Sequence, residues 1–505
     1  MKIKEILPKS PDNPTVSIDF KTITSDSRLV TAGDVFFAVT CDSIAENIRT
    51  AIKNGAIAIV LEPTIHTKLA SDFPSQTFLI VPSVREALSF AAARLYPKQP
   101  EHIYAITGTN GKSSVMTFIR QILTQLNRRV ASFGTVGLEI PTKQEIIPLI
   151  SVPKLTTPDA MSMHKMLLQL ANYGVTDFVF EASSHGLDQY RLHQVQLKSA
   201  GFTNLTQDHL DYHGTMEAYF DAKIKLFTEV LLEGGSATIN TGCPYGKSLA
   251  LMLRQKNKRV ITYAVGAPAD LVASKIHLDS ERIKFDLTYE ATEYGQQEIT
   301  MAGIFQVENV LCAIGMVLGM GYPLEDILKT LPYIKSARGR MEFVGLKSTA
   351  AAVYVDYAHT PDALMRALQA LRLHVKSGHK LSVVFGCGGN RDALKRPLMG
   401  KIADDFADEI IVTDDNPRHE DPSFIRAQVL ANCPRGKNIG DRAKAIDHAI
   451  AALNPGDILL IAGKGHETGQ VIKDEFIPFD DVQVAATILL RYGAANKKQF
   501  ISVPR

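Results

Sequence analysis

One short stretch constrains the fold more than any other. An apolar run at residues 103–106, too short for a helix, gives way to Gly-Thr-Asn-Gly-Lys-Ser-Ser at 108–114, after which Val115, Ile119, Ile122 and Leu126 recur at helical spacing. Strand, glycine loop and helix in that order form a unit whose loop can point backbone N–H groups at phosphate oxygens. Lys112 adds charge, and Ser113 offers a hydroxyl to magnesium. A Walker loop carries glycine where Ile106 stands. The strand before and the amphipathic helix after still favour nucleotide binding over a plain N-terminal turn.

Other apolar runs end in the same way. Residues 178–180 run into Glu181, 381–385 into Gly-Cys-Gly-Gly-Asn-Arg, 410–412 toward Asp-Asp-Asn-Pro-Arg, and 458–462 into Gly-Lys-Gly-His-Glu. Ligands of open α/β sheets bind at such strand ends. Near the N-terminus, residues 35–39 read as a strand and 47–54 as a helix. A length of 505 residues exceeds what one core usually supports, and the expected division is into three domains, 1–98, 99–335 and 336–505. The linker Pro97-Lys98-Gln99-Pro100 and the small and basic residues at 335–340 mark the boundaries.

Composition excludes several classes. A hydrophobic fraction of 45% and a charged fraction of 21% are those of an ordinary globular protein, and 55 basic against 53 acidic side chains leave a net charge of +2. No global field draws nucleic acid or a membrane surface, so anion recognition must be local. The cysteines, Cys41, Cys243, Cys312, Cys387 and Cys433, lack C-x-x-C spacing, which argues against a zinc site or a disulfide framework and for a reducing compartment. No signal peptide or membrane-spanning run is evident, and a cytoplasmic protein is expected. Asp415, Asn416, Pro417 and Arg418 read by themselves as a turn with a solvated charge. Thr157-Pro158-Asp159 and Thr360-Pro361-Asp362 both read as helix starts capped by threonine.

Three segments then occur in one order: Thr-Gly-Thr-Asn-Gly-Lys at 107–112, Glu-Ala-Ser-Ser-His-Gly-Leu at 181–187, and Asp-Tyr-Ala-His-Thr-Pro-Asp-Ala-Leu at 356–364. With them the chain resembles the Mur ligase family, and within it the MurE type, from Asp26 to Glu467. The resemblance implies an α/β fold of three domains: an N-terminal domain for the UDP end of the substrate, a central P-loop-type ATPase domain with a mostly parallel sheet, and a C-terminal Rossmann-like domain for the incoming amino acid. It also implies an ATP-dependent, ADP-forming ligase that joins meso-2,6-diaminopimelate to UDP-N-acetylmuramoyl-L-alanyl-D-glutamate through an acyl phosphate. A monomer that binds no nucleic acid and does not insert into membranes is expected.

Roles follow by resemblance, position by position. Gly108, Thr109, Asn110, Gly111, Lys112, Ser113 and Ser114 match the ATP loop, and Asn309, Arg340, Asp356 and His359 extend the nucleotide site. Ser113, Glu181, His209 and Lys223 match the Mg²⁺ positions, Lys223 as an N6-carboxylysine formed with CO₂. A lysine ammonium repels a cation, whereas its carbamate supplies oxygen ligands suited to magnesium. Lys112, Glu181, His209 and Lys223 make up the expected catalytic set. Ser25, Ser27, Thr156, Thr157, Ser183, Gln189 and Arg191 match the UDP-substrate positions. Arg391, Asp415, Asn416, Pro417, Arg418, Gly463 and Glu467 match the diaminopimelate positions, Arg418 meeting the distal carboxylate that L-lysine lacks. His185 and His213 receive no catalytic role.

The chain also departs from the family pattern. Residues 41–47 replace an Asp-Gly-His loop, Gln306 replaces an asparagine, Asn240-Thr241-Gly242 lacks an aspartate, and Asn390 stands where aspartate is common. An L-lysine-adding enzyme, another Mur ligase such as the MurF type, a folylpolyglutamate synthase, and a nucleotide-binding regulator without catalysis remain the alternatives. Retention of Lys112, Glu181, His209 and Lys223 argues against the last.

Overall fold

Short β-rich runs separated by amphipathic helices build parallel sheets throughout the chain. The structure, a computed structural model, describes residues 2–7, 18–140, 155–348 and 350–493. By packing, the chain divides into two units: Met1–Lys112, Asn127–Ile239 and Cys243–Ile261 form the first, and Ser113–Leu126, Asn240–Gly242 and Thr262–Arg505 the second.

The first unit holds two sheets. A four-stranded parallel sheet runs in the order Ile23–Thr24, Val35–Phe37, Ala58–Leu61 and Phe78–Ile80. Its two faces carry separate clusters, one with Val35, Phe37, Val60 and Leu88 and the other with Phe36, Ile48 and Ile59. The expected helix begins three residues earlier than its apolar spacing suggests, at Ile44–Lys53. In the larger sheet, His102–Thr107 lies between Leu197–Phe202 and Asp177–Glu181, all parallel, and Val130–Gly134 continues beyond Asp177–Glu181. Every residue of Asp177–Glu181 is buried, which is why its middle, 178–180, reads as a continuous apolar run rather than an alternating one.

In the second unit, Leu271–Leu278, Ile283–Tyr289 and Thr292–Ile299 form an antiparallel meander. A six-stranded sheet follows in the order Glu342–Leu346, Ala352–Asp356, Ile458–Ala462, Leu381–Phe385, Glu409–Val412 and Lys437–Asn438, parallel except for its first strand. Core clusters cover both faces. The three apolar runs identified in sequence are neighbouring strands here, so their polar loops emerge at one sheet edge. Among the described residues, no helix is long and apolar enough to cross a membrane.

The two Thr-Pro-Asp segments behave differently. Thr360 caps Pro361–Arg372 as expected, accepting from Ala363 N at 3.3 Å. Thr157 does not cap a helix: Asp159 caps Ala160–Asn172, accepting from Ser162 N at 3.0 Å. The buried Thr157 hydroxyl is already committed, donating to Glu181 O and accepting from Ser183 N, both at 2.9 Å.

Candidate active site

The glycine loop leaves the central strand of the larger sheet, and the segment after Leu197–Phe202 holds it. Thr109 N donates to Asn204 O at 2.9 Å, Asn110 N to Asn204 Oδ1 at 3.0 Å, and Thr203 Oγ1 to Asn110 O at 2.6 Å. Gly108 has φ +142, and a Cβ there would collide with the Thr203 hydroxyl, so only glycine fits. Lys112 opens the helix Lys112–Gln125 and folds back, its Nζ donating to Gly108 O and Thr109 O at 2.9 Å each. The N–H groups at that helix start have no partner within the helix and suit phosphate oxygens. Ser113 and Ser114 follow within it, both buried.

Strand register places Glu181 opposite Ile106, beside the loop. The buried Glu181 carboxylate accepts from Thr135 N at 2.9 Å and Thr135 Oγ1 at 3.2 Å. Lys223 approaches the loop from the helix Met216–Lys225. Only 1% exposed, its Nζ donates to Gly108 O at 3.0 Å and lies 4.5 Å from the Tyr219 ring centre. Two lysine nitrogens therefore meet one carbonyl oxygen. Burial, reinforced by the nearby Lys112 charge, holds the Lys223 amine well below its ordinary lysine value.

His209 precedes the short helix Leu210–His213 in a left-handed conformation, φ 51. Its ring centre is 5.0 Å from that of His185, whose ring is tilted against Tyr212 at 4.1 Å. Burial, and then the charges of His209 and Arg191, lower the His185 pKa; burial and His185 lower that of His213. His213 Nε2 lies 3.0 Å from Ser184 Oγ.

Thr157 joins the UDP-substrate candidates to Glu181. Ser183 caps a short turn, Arg191 Nη1 donates to Thr157 O at 2.8 Å, and Arg191 Nη2 donates to Gln189 Oε1 at 2.6 Å. Thr156 is within 3.4 Å of Thr135 through their hydroxyls. Arg85, which sequence reasoning missed, also donates to Gln189 Oε1, at 3.2 Å. Ser25 and Ser27 lie instead just beyond the first strand of the four-stranded sheet, Ser27 opening the short turn Ser27–Leu29; Ser25 is exposed, and Ser27 Oγ donates to Asn47 Oδ1 at 3.4 Å, tying it to the altered loop.

The remaining candidates belong, like Ser113 and Ser114, to the second unit. Asn309 is buried in Ile304–Leu318 and donates to the oxygen of Gln306, the substituted residue, at 3.1 Å. Asp356 accepts from Met341 N at 2.6 Å and Ala358 N at 2.8 Å, and burial raises its pKa. Tyr357, also missed, draws several candidates together. The Arg340 guanidinium lies 4.9 Å over its ring and His359 4.5 Å away, while the charges of Glu467, Asp415 and Arg391 all act on its phenol. Burial raises that phenol's pKa first and Glu467 next, with Arg340 opposing. Arg391 is exposed. Arg418 has φ 53, and its Nη1 donates to Gly389 O at 2.7 Å. Asn416 Nδ2 donates to Glu467 Oε2 at 2.9 Å. Asp415, Asn416, Pro417 and Gly463 are buried around them.

Comparison with known proteins finds two family domains in the chain. Residues 106–317 match the Mur ligase middle domain and residues 339–465 the Mur ligase glutamate ligase domain. A protein of Bradyrhizobium diazoefficiens, named UDP-N-acetylmuramoyl-L-alanyl-D-glutamate–2,6-diaminopimelate ligase, is 42% identical over 97% of this chain and 99% of its own. The chain belongs to the Mur ligase family. A Rickettsia rickettsii Mur ligase with the same name is 40% identical over 92% of this chain and 95% of its own. A solved structure bearing that name superposes with a TM-score of 0.73 at 32% identity, covering 97% of this chain and 99% of its own. The three-domain α/β architecture expected from sequence is that of the family, and the chain is a ligase.

Proposed function

We propose that the chain is the ATP-dependent ligase that adds meso-2,6-diaminopimelate to the D-glutamyl carboxylate of UDP-N-acetylmuramoyl-L-alanyl-D-glutamate, a step of peptidoglycan synthesis. The observation that carries this reading is likeness over essentially the whole chain, 42% identity across 97% of it, to a relative named for that reaction. An amine does not displace oxide from a carboxylate at neutral pH. The γ-phosphoryl group of ATP therefore passes to the carboxylate, releasing ADP and forming an acyl phosphate. The amine attacks that carbonyl, and phosphate leaves as the amide forms. Lys112 neutralises charge developing on the transferred group, and the amides at the start of its helix orient the phosphates.

Magnesium fits the residues of the first unit on one condition. Glu181 and His209 offer a carboxylate and an imidazole, and an ammonium at Lys223 would oppose a cation. The lowered pKa of Lys223 favours the free amine, which joins CO₂ through a new N–C bond and releases one proton, leaving a carbamate. Glu181, His209 and carboxylated Lys223 would then hold the ion, which supplies charge neutralisation for phosphoryl transfer. Thr156, Thr157, Ser183, Gln189 and Arg191 are proposed to bind the UDP-sugar dipeptide together with Ser25 and Ser27, and Asn309, Arg340, Asp356 and His359 to serve the nucleotide. Arg418 and Arg391 suit the distal carboxylate of diaminopimelate, and Glu467 its distal ammonium. Domain limits of 1–98, 99–335 and 336–505 and a monomeric, cytoplasmic enzyme complete the proposal.

The test is ADP and product formation by the purified chain with ATP, Mg²⁺ and the UDP-dipeptide, offered meso-diaminopimelate or L-lysine. Amide product with diaminopimelate alone is expected. Equal use of L-lysine overturns the acceptor assignment, and no product with any amino acid overturns the ligase reading.

A further inference from the structure

Lys464 stands in sequence between Gly463 and Glu467, residues with more obvious roles. Its side chain is fully buried at the edge where the three polar loops meet. Nζ donates to Asn416 Oδ1 and to Glu467 Oε2, each at 3.0 Å, and Asn416 Nδ2 closes the triangle by donating to the same Glu467 oxygen. The orientation of the Asn416 amide is fixed independently: Val471 N donates to its Oδ1 at 3.0 Å, so its NH₂ group must face Glu467.

Local chain geometry forces this arrangement. Gly463 and Gly465 flank Lys464 with φ +113 and +54, and a Cβ on them would lie 2.8 Å from Asp415 Oδ2 and 2.7 Å from Tyr357 Cβ. The turn they allow brings Glu467 N to Lys464 O at 3.0 Å and stacks the two side chains three residues apart. Lysine is thereby directed into the protein, while Glu467 remains half-buried at the surface of the loop cluster.

We propose that Lys464 is a positioning residue for recognition of the incoming amino acid, acting through Glu467 and Asn416 without touching substrate. This rests on the acceptor reading given above. Because Oε2 of Glu467 takes both bonds, the carboxylate plane is fixed before the amino acid arrives, and its other oxygen is the one left to meet the distal ammonium. The Lys464 charge also opposes an incoming cation. Orientation outweighs this opposition because Glu467 is partly solvated, which screens the charge but leaves the hydrogen-bond directions intact.

The experiment compares the full-length wild type with Lys464→Met, using meso-diaminopimelate and 2-aminopimelate, an analogue without the distal amino group. Expected for the variant is a KM for diaminopimelate raised about tenfold, with kcat within about threefold and the KM for ATP within about twofold, as for loss of a charge-assisted hydrogen bond. The preference for diaminopimelate over the analogue should fall about tenfold as well. Combining Lys464→Met with Glu467→Gln should raise that KM no further than Glu467→Gln alone. Equal losses with both acceptors, additive effects, or an unchanged or tighter KM would each overturn the proposal. Should Lys464→Met fail to fold, Lys464→Gln is judged by the same acceptor ratio. A wild type that does not use diaminopimelate overturns the acceptor reading instead, before any variant is made.

Discussion

The loop at residues 108–112 and the loops around Asn416 and Lys464 all end parallel strands, yet they are held by different means. The first is held largely at its own main-chain atoms: Thr109 N donates to Asn204 O, while Asn110 O accepts from Thr203 and the shared Gly108 carbonyl from Lys112 and Lys223. In the second, side chains bond to one another in addition to main-chain bonds such as Gly389 N to Asn416 O at 2.9 Å: the Lys464–Asn416–Glu467 triangle and two buried arginines tie the loops together. Arg396 donates to Gly388 O and pairs with Glu420 at 2.9 Å, and Arg442, wholly buried with Asp481, also donates to Ala462 O at 2.9 Å. A loop held at its own main-chain atoms presents the same backbone whatever ligand arrives and depends on the few side chains that reach it, Thr203, Lys112 and Lys223, which suits a ligand as general as a triphosphate. A loop bonded through side chains can be reshaped by a single substitution, which suits recognition of one amino acid.

Substitutions can break this contrast. Lys112→Ala should lower kcat about 10³-fold or more while circular dichroism stays that of the folded protein, since Lys112 contributes charge to the transferred group and no core packing. ATP turnover retained in that variant would sink the assignment. Lys223→Ala should lose about 10²-fold or more, with partial recovery in short carboxylic acids that restore oxygen ligands. Full activity without additive would remove the carbamate from the scheme.

Arg418→Ala sharpens the comparison from the other side. Its kcat/KM with meso-diaminopimelate should fall about 10²-fold, the KM for ATP should hold, and no comparable activity with L-lysine should appear. Deleting a guanidinium does not build a lysine site, so a gain with L-lysine would show that Arg418 acts only by exclusion.

The smallest effect is expected away from both loops. His164 is buried in Ala160–Asn172, near His193 O at 3.1 Å, and burial lowers its pKa from 6.5 to about 4. Above pH 6.5 the ring is neutral in both folded and unfolded chains. Below it the unfolded chain binds the proton first, so stability falls as pH drops toward 4. Between pH 6.5 and about pH 5 the loss should be about 2 kcal/mol. Urea denaturation of wild type and His164→Gln across that range checks it; identical pH slopes would rule the group out.

Much of this was legible where function depends on local order. Strand, loop and helix at 103–126 and the three strand ends of the second unit follow from apolar runs interrupted by glycine. What escaped depends on distant partners. Thr157-Pro158-Asp159 and Thr360-Pro361-Asp362 are identical in sequence, yet only Thr360 caps a helix, because the Thr157 hydroxyl is held between Glu181 O and Ser183 N. No local pattern announces those contacts. Arg85, Arg396 and Arg442 were illegible for the same reason, whereas Lys464 left a trace in the two glycines around it.

The register of Asp177–Glu181 against His102–Thr107 has one more consequence. Successive residues of a strand face opposite sides, so a slip of one position would turn the Glu181 carboxylate away from the glycine loop. The same slip would move the buried Phe178 and Phe180 out of their core. One register therefore serves two ends: the pairing that sets the side of the sheet on which Glu181 stands also seats Phe178 and Phe180 in their cluster.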